Sequence, residues 1–240
     1  MLFGWFYFDW TMLIVLPAIV FAGYASMKVK STFEKYSNVR TSSGMTGAEA
    51  ARRLLNANGL YYVRIERLNT NELADHYDPR NQTLNLSAQV YDSNSAAAIG
   101  VACHEAGHAI QHAEGYAPLK ARMAIIPVCN FGSKLAFPLF LIGLIASARI
   151  EGNFGYLFML LGIACFSLAT LFQLITLPVE FNASKRALVG IGECGIMHIQ
   201  EEHDAARQVL SAAAMTYVAA LATSLLSLLR LIVIANNRRR

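Results

Sequence analysis

Charged residues are nearly absent from four stretches of the chain and gather in the region between the first two. A helix needs about 20 apolar residues to cross ~30 Å of hydrocarbon, so each apolar stretch is a candidate span. Residues 10–27 are uncharged, and Trp5, Tyr7 and Trp10 give them an aromatic belt at one end. Residues 135–148 are short for a crossing and have to be extended back through Pro127 to Gly132, with Lys134 reaching to the surface. Residues 154–179 carry no charge before Glu180, and Gln173 is their one strongly polar interior side chain. Residues 212–235 are apolar apart from Arg230 and lead into Asn236, Asn237 and three arginines. Asp9, but no Lys or Arg, precedes the first stretch, which argues for a retained anchor rather than a cleaved secretory signal.

The polar region, residues 28–122, shows shorter periods. Thr46, Gly47, Ala48 and Glu49 have the form of a capping box, predicting a short helix that runs to about Asn58 and ends at Gly59. Residues 61–68 alternate Tyr61, Val63 and Ile65 with Tyr62, Arg64 and Glu66, a strand pattern, and residues 82–87 alternate again after the turn residues Asp78 and Pro79. The two predict a small sheet, in which residues 82–87 are either a free edge able to pair with an extended peptide or an inner strand. Ser95 caps a predicted helix through Ala96 and Ala109 to about Ala113, closed by Gly115 with Pro118 just beyond.

Composition agrees with a membrane chain. Hydrophobic residues make up 55% and charged residues 15%, against about 45–50% and about 25% in a soluble domain. This excludes a disordered chain and an ordinary soluble one. The net charge of +4 is modest and sits beside the apolar stretches, so it marks a membrane surface, and no nucleic-acid partner is expected. Cys103, Cys129, Cys165 and Cys194 form no CxxC pair, which suits a reducing compartment for the polar part.

The candidate chemistry lies on the helix capped by Ser95. Residues 104–108 spell HExxH. Residues four apart share a helix face about 6 Å apart along the axis, so His104 and His108 can reach one metal ion. Glu105 is rotated about 100° from His104 and can act as base toward a metal-activated water. With 6 His and 11 Glu in the chain, the pattern arises by chance about once in a hundred such chains. The plainer reading is a pair of core histidines on an Ala-rich helix. His112 lies ~12 Å along the axis from His104, too far to share the ion. A catalytic zinc needs a third protein ligand and an open position. Glu180 is the strongest candidate, since a carboxylate beside a bilayer span is costly unless paired or metal-bound. Two crossings separate it from His108, which returns the chain to the same side. The alternative is an interfacial Glu that ends a helix in water.

Four segments carry a resemblance: residues 46–49 (TGAE), 75–79 (DHYDP), 104–111 (HEAGHAIQ) and 176–188 (TLPVEFNASKRAL). Together they resemble the YugP-type neutral zinc metallopeptidases, bacterial membrane proteins, over about residues 28–209. More distantly the chain is similar to HtpX-like and CAAX prenyl membrane metalloproteases. The resemblance implies zinc ligated by His104, His108 and Glu180, with Glu105 as catalytic base. In the wider group an Asp follows the ligand Glu by four positions, where this chain has Ser184, a weaker orienting group. An oxyanion donor is sought among His76, Tyr77, His203 and Arg186, which the sequence does not separate. His198 and His203, beside Glu201, Glu202 and Asp204, read as surface residues rather than a second metal site.

The expected fold is a mainly α membrane protein with about four transmembrane helices and a small α+β zincin-like metalloprotease domain. Its parts are an anchor (1–27), a zincin-like domain with the HExxH helix (28–124), a transmembrane hairpin (125–179), a juxtamembrane helix with the third ligand (180–211) and a last transmembrane helix with a basic tail (212–240). Lys28, Lys30, Lys35, Arg40, Lys120, Arg122, Lys185 and Arg186 all fall on the side of the metal site, which places that site in the cytoplasm of a multi-pass cell-membrane protein. Arg238, Arg239 and Arg240 point the other way. The expected activity is zinc-dependent endoproteolysis of peptide or membrane-protein substrates at a bilayer. Two rival functions are a catalytically silent, zinc-stabilised scaffold or chaperone, and a transporter or channel suggested by Lys134, Gln173 and Arg230. The sequence leaves the oligomeric state open.

Overall fold

The computed structural model describes residues 9–70, 74–149 and 152–238. The belt residues Trp5 and Tyr7 and the basic Arg239 and Arg240 lie outside the described residues. In chain order the elements are α1 (Met12–Tyr36), α2 (Gly47–Ala57), β1 (Arg64–Leu68), β2 (His76–Asp78), β3 (Thr83–Ser87), α3 (Ala88–Tyr91), α4 (Ala96–Ala113), α5 (Ala117–Arg149), α6 (Phe154–Glu193) and α7 (Gln200–Arg238). The protein is mostly helical, with one small sheet. Helices α1, α5, α6 and α7 are long and apolar enough to cross a membrane. The weakest of the four apolar stretches therefore belongs to a full-length helix: α5 runs unbroken through Pro127 and Pro138. The chain divides into two compact units. One comprises residues up to Tyr24, 122–175 and from Val218 on; the other comprises 25–121 and 176–217.

In the first unit, α5 and α6 pack through glycines. A Cβ on Gly132 would meet Leu168 and the carbonyl of Cys165, and one on Gly143 would strike the backbone of Met159 and Gly155. Ascending positions on α5 thus meet descending ones on α6, an antiparallel hairpin with the close backbone approach that small residues allow in membranes. Phe137, Ile142, Ile145, Leu157 and Leu161 project outward, as lipid-facing residues must. The intramembrane arginine is paired: Arg230 Nε donates to Thr11 Oγ1 at 3.0 Å and Nη2 to Asp9 at 2.9 Å.

The second unit is built around α4. The predicted capping box is present at α2, where Thr46 Oγ1 accepts from the Glu49 amide and the Glu49 carboxylate accepts from the Thr46 amide. Helix α4 starts where Ser95 Oγ accepts from the Ala98 amide, and it is closed by Gly115 at φ +67. Ala-rich faces let helices approach closely: a Cβ on Gly107 would press on the carbonyl of Ala183 in α6, and Gly100 lies against Ala206 in α7.

The two expected strands pair, as β1 with β3, and the sheet gains a third strand, β2, that was not expected. The sheet order is β1-β3-β2, with β1 parallel and β2 antiparallel to β3. Residues 82–87 are therefore the inner strand, with Leu84 and Leu86 fully buried, and the open edges belong to β1 and β2. The first strand begins at Arg64. Tyr61 and Tyr62 lie in the turn after Gly59 (φ +73) with exposed rings, so the alternation there reflects turn exposure rather than a pleat. Nor does a new helix begin at Glu180. Helix α6 passes through Pro178 and continues to Glu193, and α7 carries residues 200–238 as one helix. In its acidic first turn, Glu202 is buried and accepts hydrogen bonds from the Ser42 amide at 2.7 Å and the Ser42 hydroxyl at 3.2 Å.

Candidate metal centre

The 3.6-residue period of α4 stacks His104 and His108 on one face, with ring centroids 4.8 Å apart and nearly perpendicular planes. Helix α6 brings Glu180 to the same point. Its Oε2 lies 3.3 Å from His104 Nε2 and 3.5 Å from His108 Nε2, and the three ligand atoms all fall within 4.8 Å of one another. Around a tetrahedral zinc with bonds of about 2.0–2.2 Å, ligand atoms stand about 3.3–3.6 Å apart. The two His–Glu separations match that edge, and two imidazoles with one carboxylate form a donor set that zinc uses in catalytic sites. The residues therefore fit the ion. Glu180 is only 2% exposed, and a carboxylate so deeply placed needs a cationic partner.

Each imidazole is held from behind. His104 Nδ1 stands 3.1 Å from Ser184 Oγ, and His108 Nδ1 stands 3.0 Å from Gln111 Oε1. An anchored Nδ1 fixes the ring and leaves Nε2 to face the ligand position. Gln111 is itself fully buried, its Nε2 donating to the Val179 carbonyl at 2.8 Å and to Asn182 Oδ1 at 2.9 Å. Arg186 Nε donates to the same Asn182 oxygen at 2.7 Å, and its two terminal nitrogens clamp the Glu114 carboxylate at 2.8 and 2.7 Å. A chain of hydrogen bonds thus runs from His108 to an ion pair between α6 and the end of α4.

Glu105 faces the sheet. Its Oε2 accepts the amide hydrogen of Tyr77 at 3.1 Å. Burial is the largest influence on its carboxyl and pushes the pKa above the usual range, against the pull of His104 and His108. For His108 burial alone would lower the pKa, but Glu180 and Glu105 facing it outweigh burial and hold it above its ordinary value. The Tyr77 phenol, half-buried, is pushed up to about 12 and stays protonated at any working pH.

The other sequence candidates separate cleanly. Ser184 lies behind His104, and Tyr77 reaches Glu105 through its amide rather than its hydroxyl, which is 3.0 Å from His112 Nδ1. Arg186 is engaged by Glu114 and Asn182. His203 Nε2 sits 3.1 Å from the Met197 carbonyl. His76 is exposed on β2, with ring nitrogens 2.9 Å from the Ala74 carbonyl and 3.3 Å from Asn85 Nδ2. Among the described residues, His104, His108 and Glu180 form the one cluster with metal-ligand geometry, so His198 and His203 make no second one. Sequence reasoning missed Gln111 and Asn182. Gln111 stands three residues after His108, on the same helix face, and that spacing was its available signal.

A family model described as "Putative neutral zinc metallopeptidase" matches residues 11–236. The chain is also 50% identical over 227 residues to the "Putative membrane protease YugP" of Bacillus subtilis (strain 168), covering 94% of this chain and 96% of that relative. No solved structure matches it.

Proposed function

Because the chain belongs to this family of neutral zinc metallopeptidases, whose cofactor is zinc, we propose that it is a membrane-embedded zinc endopeptidase with His104, His108 and Glu180 as ligands and Glu105 as base. The observation that carries this reading is the meeting of His104 Nε2, His108 Nε2 and Glu180 Oε2 within 4.8 Å, beside a glutamate already held by a backbone amide. When bound, zinc supplies Lewis acidity and makes water acidic enough to lose a proton near neutral pH. Glu105 receives the proton of the water that attacks the peptide carbonyl and later delivers it to the leaving amine. Ser184 and Gln111 keep the two imidazoles in one tautomer and orientation.

Residues 28–124 and 180–211 form a zincin-like assembly in this reading. An extended peptide pairs with the open edge of β2, the strand that also holds Glu105. In this reading the site faces the cytoplasm at the cell membrane, supported by eight Lys and Arg beside the spans against the terminal arginines.

The test uses purified full-length chain in detergent, loaded with zinc and offered a mixed peptide library. Glu105→Gln is expected to lower turnover by about 10²–10⁴ with zinc content unchanged. A variant that cleaves as fast as the parent would remove the base, and a silent scaffold would show no Glu105-dependent cleavage at all.

A further inference from the structure

We propose that Tyr77 and His112 form a latch that holds the Glu105 carboxylate in its working position, both acting as positioning residues. The proposal takes the hydrolase reading above as its premise, and it concerns how the proposed base is kept in place.

Strand β2 has three residues, His76–Asp78, paired to β3 on one side only. So few ladder hydrogen bonds leave an edge strand free to rock unless side chains pin it. Asp75 pins one end, its carboxylate accepting from the Ser87 amide at 2.7 Å and the Ser87 hydroxyl at 3.0 Å. Tyr77 pins the strand against α4, and it does so twice. Its amide donates to Glu105 Oε2 at 3.1 Å and its hydroxyl meets His112 Nδ1 at 3.0 Å. Glu105 and His112 lie seven residues apart, two turns along one face and about 10 Å along the axis. A single residue therefore spans two turns of α4, and its two contacts fix both the distance and the rotation of β2.

Among the described residues, the Tyr77 amide makes the only hydrogen bond to the Glu105 carboxylate. It engages one carboxylate oxygen and leaves the other to handle the proton. Without the hydroxyl contact the amide remains, but the strand that carries it loses its second support. The ring contact supports the same geometry, with Tyr77 and His112 centroids 5.8 Å apart. The phenol stays protonated, so it can donate to His112 Nδ1 or accept from it, according to the imidazole tautomer. The asparagine amide can place an acceptor or a donor where Nδ1 lies; leucine can place neither.

The experiment compares Tyr77→Phe, His112→Leu and His112→Asn in zinc-loaded full-length chain, reading peptide cleavage, zinc content and amide hydrogen exchange at residue 77. Tyr77→Phe and His112→Leu are expected to lower kcat by about 10–100-fold, the scale of a misplaced catalytic group, to speed exchange at residue 77 and to keep zinc. His112→Asn recovers most of the rate lost in His112→Leu. In a Glu105→Gln background Tyr77→Phe costs nothing further, since both changes act on one group. Unchanged exchange in Tyr77→Phe, an equal loss in the Glu105→Gln background, or His112→Asn as impaired as His112→Leu would each overturn the latch. If the parent protein cleaves no peptide, the hydrolase reading fails, and amide exchange alone still decides whether the latch exists.

Discussion

Helix α4, in the unit that carries the histidines, buries twelve of its eighteen residues, whereas the apolar windows of α1, α5, α6 and α7 bury at most 28%. The polar side chains differ in parallel. Around α4 they converge: His104, His108 and Glu180 meet at one point, with Ser184, Gln111 and Asn182 arranged behind them. In the unit rich in spans they pair off separately, as Thr170 with Ser224 at 2.7 Å and Arg230 with Asp9 and Thr11. A soluble-type core excludes water and makes unpaired polar groups costly, so a cluster of titratable residues survives there only around a strong organising charge. Between membrane helices polar pairs act as local ties, since lipid supplies no hydrophobic drive for helix association. The difference teaches which polar residues should respond to zinc and which should not.

The largest effect expected is on Glu180→Ala. It removes the sole carboxylate of the three-atom set, so zinc affinity should fall by more than the roughly 10–100-fold that loss of an orienting residue costs. Competition with a chromophoric chelator measures this. Undiminished affinity would dissolve the contrast between the two units at its centre, because the convergence around α4 would then have no ion to explain it.

The next effect concerns the residues behind the ligands. Gln111→Leu keeps bulk while deleting the acceptor for His108 Nδ1 and the donors to Val179 and Asn182. Zinc affinity should drop about 10–100-fold, and Ser184→Ala, which deletes one 3.1 Å contact to His104, should fall at the low end. An unchanged dissociation constant in Gln111→Leu would mean that the arrangement serves packing alone.

The parts readable in the sequence were those set by short periods. Capping residues Thr46 and Ser95, the four-residue spacing of the histidines and the long apolar runs all follow from local rules. Glu180 was accessible through a different argument, the cost of an acid beside a span combined with the parity of crossings. What stayed hidden depends on contacts between distant segments. Strand β2 is too short to show a period, and its link to Glu105 crosses 28 residues. Arg186 looked available until folding brought Glu114, 72 residues away, against it. The expected break between residues 179 and 180 is absent, since α6 continues through Pro178 to Glu193, as membrane-type helices tolerate proline.

The smallest effect belongs to the pair in the other unit. Arg230 and Asp9 keep side-chain exposures of 29% and 40%, so neither is fully withdrawn from polar surroundings. A membrane-bound unfolded chain would also find partners for both, which limits what their contact can add to stability. A double-mutant cycle with Asp9→Asn and Arg230→Gln, followed by unfolding in micelles, should give a coupling of about 0.6 kcal/mol and no more than about 1.7 kcal/mol. Zinc affinity should stay unchanged in all three variants, because this tie does not take part in the convergence around α4. A coupling well above that bound, or a loss of zinc in Arg230→Gln, would show the two units to be energetically linked through this pair and would end the separation drawn here between local ties and an ion-centred core.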